Sequence, residues 1–337
     1  MKAASGFASG PRPVRELAEA AVHEALAAAG LDRAEQIILL LSREFARQPA
    51  AAVLAAARAG GCLQVGGGTA SGLFTEAGWL LDQPAAAALV VGELPATTVP
   101  ATPQLSFCGH ATLPFAWHGE APRAGLLEAD AATWSQARLT ASAVADVALP
   151  GLDCQMLLAG GLRPLVDQPL TVEASDGYEL RRVAGQPAAE SLRRALPAAL
   201  REHLPLHQIA LLLADGEPAV AILAAHADGS LTLAAPLAAG QTLTWALRQP
   251  LAAEEEMRRL LAAVAAPAPD FALMLSCIGR GPLFYGGDDR DLLAFRERFP
   301  GVPLLGAYGS GQIAPTAAGN RLFHNAALTL LYRSHHV

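Results

Sequence analysis

The feature that most restricts how this chain folds is an echo between its two ends. Ile38-Leu39-Leu40-Leu41-Ser42 is answered by Ala272-Leu273-Met274-Leu275-Ser276, and each run leads through a helical stretch and an apolar segment into a glycine-rich turn. The turns, residues 66–72 and 306–311, contain Ser71-Gly72 and Ser310-Gly311. Ser71 lies 16 residues before Ala87 and Ser310 lies 16 before Ala326, where Ala87-Ala88-Leu89-Val90-Val91 is matched by Ala326-Ala327-Leu328-Thr329-Leu330. Short continuous apolar runs suit strands covered on both faces, and such runs alternating with helical patterns define an α/β fold. The chain is therefore read as two pseudo-repeated α/β domains with mixed sheets flanked by helices, residues 15–178 and 179–333.

Local signals fill in this frame. Residues 15–29 are rich in alanine and leucine and stop at Gly30, and residues 50–59 stop at Gly60-Gly61, so both predict helices with a glycine terminator. Residues 86–91 predict a strand, whereas residues 95–125, punctuated by Pro100, Pro103, Pro114 and Pro122, are expected to be loop-rich. Strands over 170–174 and 179–183 are joined by the hairpin signal Asp176-Gly177. A helix over 188–201 follows, then strands near 209–213, 219–224 and 231–234, with a turn at Asp228-Gly229. Glu254, Glu255 and Glu256 are placed in the first turn of a helix running to Val264, where negative charge suits the helix dipole.

Composition removes whole classes of function. The 337 residues carry 24 basic and 31 acidic side chains, 24 − 31 = −7, and 52% are hydrophobic, enough to bury two cores. Lys2 is the sole lysine, which excludes a Schiff-base lysine, a phosphate-loop lysine and a kinase-type lysine. The acidic balance, with no arginine-dense face, argues against a nucleic-acid partner. Cys62, Cys108, Cys154 and Cys277 show no Cys-x-x-Cys spacing and are read as reduced thiols. No secretory-type apolar stretch opens the chain and no run approaches the ~20 residues of a membrane helix, so a cytoplasmic protein without membrane contact is expected.

The densest set of unusual residues is C-terminal: Ser276-Cys277-Ile278-Gly279-Arg280, then Tyr308-Gly309-Ser310-Gly311-Gln312. Both follow buried-strand patterns, where α/β proteins place ligands. A pocket lined by the two glycine turns is expected. In it Arg280 holds an anionic end, Gly309 and Gly311 offer backbone N–H groups, and Tyr308, Ser310 and Gln312 set orientation, with Cys277 and Gly279 alongside. Ser71 and Thr69 form a second wall. The plainer alternative is that the glycines only shape turns and Arg280 only pairs with an acid.

Other chemistry reads more weakly. Cys277 is the candidate nucleophile of an enzyme reading, with no histidine nearby in sequence. Residues 66–72 depart from a dinucleotide loop because Ser71 stands where the last glycine belongs. Pro205 separates His203 from His207, and Cys108, His110 and His118 match no standard metal spacing. His226 and His324, beside predicted strands, are the candidates for axial ligation of a non-covalent haem.

The run from Phe271 to Leu331, with Pro303-Leu304-Leu305-Gly306-Ala307-Tyr308-Gly309-Ser310-Gly311-Gln312-Ile313-Ala314-Pro315 at its centre, resembles the C-terminal FIST domain. Residues 65–74, 185–192 and 227–231 resemble the rest of the FIST pair, so 15–178 stands as the N-terminal FIST domain and 179–333 as the C-terminal one. The resemblance implies a non-catalytic sensory module that binds a small polar or anionic metabolite, amino acids being one proposal. It signals through a separate output protein such as a histidine kinase. Some members of this family are haem-binding nitric-oxide sensors, which is the alternative the resemblance brings. The family's usual glutamate after the Ser-Gly pair is here Gln312, which changes a carboxylate to a neutral amide.

Overall fold

The computed structural model describes residues 1–94, 102–119, 121–213 and 216–334. These form two compact units: residues 1–159 with 257–337, and residues 160–256. The units are cut at 159/160 and 256/257, away from the expected boundary at 178/179.

The first segment of unit 1 contains β1 (Lys2–Ser9), α1 (Arg15–Ala29), β2 (Gln36–Ser42), α2 (Ala50–Gly60), β3 (Val65–Ala70), β4 (Gly72–Thr75), β5 (Gly78–Leu81) and β6 (Ala85–Gly92). It continues with β7 (Gln104–Cys108), β8 (Arg123–Leu127), β9 (Thr133–Ser135), β10 (Arg138–Leu139), β11 (Val144–Val147) and β12 (Leu152–Ala159). Helices α1 and α2 stop where glycine predicts, with Gly30 and Gly61 in the left-handed region at φ 61° and 63°. The stretch expected to be loop-rich holds two strands, β7 and β8; residues 95–101 and 120 lie outside the described residues.

Unit 2 contains β13 (Leu162–Pro164), β14 (Leu170–Asp176), β15 (Glu179–Val183), β16 (Gln186–Pro187), α3 (Ala188–Ala195), β17 (Ile209–Leu212), β18 (Val220–Ala225), β19 (Leu231–Leu233) and β20 (Thr242–Arg248). Its antiparallel pairings run β20-β14-β15-β19-β18-β17 and return to β20, a closed ring that leaves no edge among those six strands. Val172, Leu180, Leu192, Leu231 and Trp245 fill it, and the Trp245 indole N–H donates to Ser191 Oγ at 3.1 Å. Helix α3 is shorter than expected because Pro197 follows its last turn.

The chain then forms α4 (Pro250–Ala262), β21 (Phe271–Cys277), α5 (Pro282–Tyr285), α6 (Arg290–Arg298), β22 (Leu304–Gly309), β23 (Gly311–Thr316), β24 (Gly319–Phe323) and β25 (Ala327–Ser334). Because α4 begins at Pro250, Glu254 to Glu256 sit in its middle and not at its start; the helix-dipole explanation of that acidic run fails. Glu256 instead accepts from the Gly161 N–H at 2.6 Å.

Unit 1 realises the echo as two matching sheets, β1-β6-β2-β3-β9-β10 and β12-β25-β21-β22-β4-β5. In each, the central strand pairs in parallel with one neighbour (β2 with β3, β21 with β22) and antiparallel with the other (β6, β25). Strand alternation explains the continuous apolar runs. Ile38 and Leu40 face a core shared with Leu273 and Leu275, whereas Ile37, Leu39 and Leu41 face α1 and α2, and Ala272 and Met274 face α6.

The two segments expected to be glycine turns are strands. Only Ser71 and Ser310 interrupt them, and at each the chain leaves one sheet for another. β4 leaves the first sheet to pair with β22 in the second, and β23 joins a third sheet, β11-β7-β8-β23-β24. Glycines allow this because the third sheet packs closely: a Cβ on Gly66 would meet Val147, and one on Gly309 would meet Leu126 at 2.8 Å. Gly67 has φ +151° and its Cβ would lie 1.9 Å from the Leu39 carbonyl oxygen. Gly67→Ala is expected to destabilise the protein by at least about 2 kcal/mol in urea unfolding, against near neutrality for Gly78→Ala, whose Cβ has open space.

Candidate functional site

The serine at each sheet crossing sits at the C-terminal end of a parallel strand, the place where α/β sheets offer ligand contacts. The structure brings the two serines together. The Ser71 N–H donates to the Tyr308 carbonyl at 2.9 Å. Ser71 Oγ donates to Glu128 Oε1 at 2.7 Å and Ser310 Oγ donates to Glu128 Oε2 at 2.8 Å, so one half-buried carboxylate bridges both halves of the echo. Glu128 follows β8, whose register against β23 pairs Gly311 with Leu127 and so sets Ser310 opposite Glu128. Thr69 is buried nearby and tied to the adjoining loop, its Oγ1 accepting from the Ala132 N–H at 3.0 Å.

Cys277 and His324 complete this junction. The Cys277 thiol, 5% exposed, donates to the Ser310 carbonyl at 3.8 Å, and His324 Nδ1 lies 3.0 Å from the same oxygen. Gln312 projects from β23 on the face it shares with Leu126 and Phe323, both in the shared core. It is fully buried, and neither its Oε1 nor its Nε2 has a hydrogen-bond partner among the described residues.

Arg280 and Tyr308 belong to a different place. Alternation turns the Tyr308 ring to the helix side of β22, against Phe74 at 4.7 Å between ring centroids. Its hydroxyl donates to Asp289, which also caps α6 by accepting from the Leu292 N–H at 3.0 Å. Arg280 is 1% exposed; its Nε and Nη2 donate to Asp291 at 2.7 and 3.1 Å, its Nη1 donates to the Ala159 carbonyl at 3.1 Å, and the Tyr285 hydroxyl donates to Asp291 at 2.9 Å. The expected anion clamp is thus already bound to a carboxylate of its own chain, and the plainer alternative for Arg280 holds. Gly309 and Gly311 are likewise strand members packed beneath Leu126 and Leu322, while Gly279 is exposed in the short turn after β21.

The haem candidates do not fit a haem site. His226 is exposed, bonded to Thr232 Oγ1 at 2.7 Å, on an open groove of about 680 Å³ in unit 2 whose other walls include Asp176, Glu179 and Asp228. His324 is also exposed, in unit 1. Both are open to solvent, whereas a histidine that ligates haem is enclosed with the macrocycle among apolar side chains. Among the described residues no three His, Cys, Asp or Glu side chains group as a metal site. Burial pushes the Cys154 thiol up to about 12 and raises Cys62 and Cys108, which keeps these thiols protonated and unreactive.

Sequence reasoning missed Glu128, the acidic partner of Arg280 and the acidic partner of Tyr308. Glu128 carried one usable signal: it is an acidic residue directly after the apolar run Ala124 to Leu127, at a strand's C-terminal end. Asp289 and Asp291 stand in Gly286-Gly287-Asp288-Asp289-Arg290-Asp291, a pattern indistinguishable from a solvated loop.

With this geometry in view, residues 179–315 match the family model described as FIST C domain, which supports assignment to the FIST family. The chain is 27% identical over 207 residues to an uncharacterized protein of Mycobacterium bovis, covering 57% of this chain and 53% of that one. A Mycobacterium tuberculosis uncharacterized protein is 26% identical over 207 residues, covering 57% and 54%. The human F-box only protein 22 is 42% identical over 64 residues, 18% of this chain and 15% of its own. The chain spans about half the length of the mycobacterial relatives it matches. Among the described residues no helix is long and apolar enough to cross a membrane.

Two outcomes test the internal network. Arg280→Ala strands Asp291 without its cation and is expected to cost about 3–5 kcal/mol in chemical unfolding. Burial, with Asp291 beside it, raises the Asp289 carboxyl from 3.8 to about 6. A raised acid pKa favours the folded state below about pH 4 and loses that contribution as pH rises to about 6. The stability difference between Asp289→Asn and wild type is therefore expected to move in the variant's favour by about 2–3 kcal/mol from pH 4 to pH 7, read from urea unfolding at each pH.

Proposed function

We propose that the protein is a non-catalytic, cytoplasmic sensory module that binds a small polar, amino-acid-like metabolite in unit 1 and signals through a separate partner, a histidine kinase or another output protein. The FIST C match supports the sensory class. The observation that carries the location is the bridge from Glu128 to Ser71 and Ser310, three groups from three strand ends that converge on one half-buried point. A carboxylate there favours a ligand with an ammonium group, whose donors replace those of the two serine hydroxyls; it disfavours a purely anionic ligand. Reading the site without catalysis rests on Cys277, whose thiol faces a carbonyl oxygen and not a base.

The test is a thermal-shift screen of the purified protein with amino acids, short amines, short carboxylates and haemin. Ligands bearing an ammonium group are expected to raise the melting temperature, and Glu128→Ala is expected to abolish that response. A Soret band with haemin, or a response confined to carboxylates, would favour the haem or the anion reading instead. No response across the panel would sink the proposal.

A further inference from the structure

We infer that Gln312 is the recognition residue at the inner end of this site and that it takes an amide-type edge, one hydrogen-bond donor beside one acceptor. The inference rests on the ligand-binding reading above and adds the chemical class of the ligand.

Three observations carry it. The carboxamide is fully buried with neither polar atom partnered among the described residues, a costly state for a group that can make several hydrogen bonds. Its strand neighbours on the same face, Leu126 and Phe323, are apolar and offer it nothing. The next residues on that face toward the strand ends are Ser310 and Glu128, both half-buried, so the carboxamide stands directly behind the serine–carboxylate junction.

The chemistry of the two orphaned atoms selects the ligand. Oε1 needs a donor and Nε2 needs an acceptor, side by side in one plane. A primary amide, or a ring amide, satisfies both. A carboxylate satisfies Nε2 and sets its second oxygen against Oε1; an ammonium satisfies Oε1 alone. Glutamate at this position could not discriminate in this way, because an ionised carboxylate only accepts.

The experiment compares wild type with Gln312→Met, which keeps the side chain's length and approximate volume and removes both polar atoms. Thermal unfolding is followed without additive and with L-glutamine, L-asparagine and nicotinamide, each against its carboxylate counterpart L-glutamate, L-aspartate or nicotinate. Without additive the variant is expected to melt about 1–3 °C above wild type, since an unpartnered buried amide has been replaced by an apolar group. At least one amide is expected to raise the wild-type melting temperature more than its carboxylate does, with an apparent affinity at least about tenfold weaker in the variant. Gln312→Glu, which keeps the acceptors and loses the donors, supplies the same comparison should the methionine variant fail to fold.

A methionine variant that folds but melts below wild type, or that keeps the amide response, overturns the inference. Wild-type protein that responds to other metabolites but to none of the three amides overturns it as well, and leaves the sensory reading standing. Wild-type protein that responds to nothing overturns both.

Discussion

One residue between two strands governs unit 1. At Ser71, and again at Ser310, the chain turns out of a parallel strand pair and into another sheet without a connecting loop. The strand ends are then too close for bulky side chains. Gly72 lies beneath Tyr308, Gly306 beneath Phe74, and Gly309 beneath Leu126. The glycines are spaced by sheet packing and not by turn geometry. The same crossings bring two serine hydroxyls within reach of one carboxylate, so the candidate site is a by-product of how the sheets exchange strands.

The helix side of β22 shows what that arrangement requires in return. Arg280, Asp291 and Tyr285 form one hydrogen-bonded set and Tyr308 and Asp289 a second, and together they tie β22 and the turn after β21 to the first turn of α6. A buried guanidinium is tolerable because its Nε, Nη1 and Nη2 each donate to a carboxylate or a carbonyl oxygen. Residues that look equally suited to a ligand in the sequence, Tyr308, Ser310 and Gln312, fall at a spacing of two, and what divides them is the crossing at Ser310, where the chain leaves β22 for β23 in another sheet. Tyr308 points to the helices, while Ser310 and Gln312 belong to the face of the shared core.

That division marks the limit of what could be read from the sequence. The echo predicts two α/β halves with mixed sheets, and β2 with β21 and β6 with β25 follow it, whereas its glycine turns prove to be strands; the glycine terminators of α1 and α2 are equally plain. The closed ring of unit 2 was not, because its strands are short and nothing local specifies that β17 closes on β20. Ser71, Thr69, Ser310, Cys277 and His324 were recognised singly, and their convergence was expected for the serines. Glu128 escapes because a single acidic residue after a short apolar run looks the same in the sequence whether it is solvated or bridges two hydroxyls. Arg280 was misassigned because a pairing between residues 280 and 291 leaves no periodic trace in the sequence.

The exchange of strands also sets an order of events during synthesis. Glu76, in the turn between β4 and β5, accepts from the Leu304 N–H, 228 positions further along, and β4 pairs with β22 over the same span. A ribosome must therefore deliver the intervening barrel and the chain as far as β22 before β4 can take its place in the second sheet. Until then β4 lacks the strand that covers one of its edges, and an unpaired edge is open to pairing with the wrong chain.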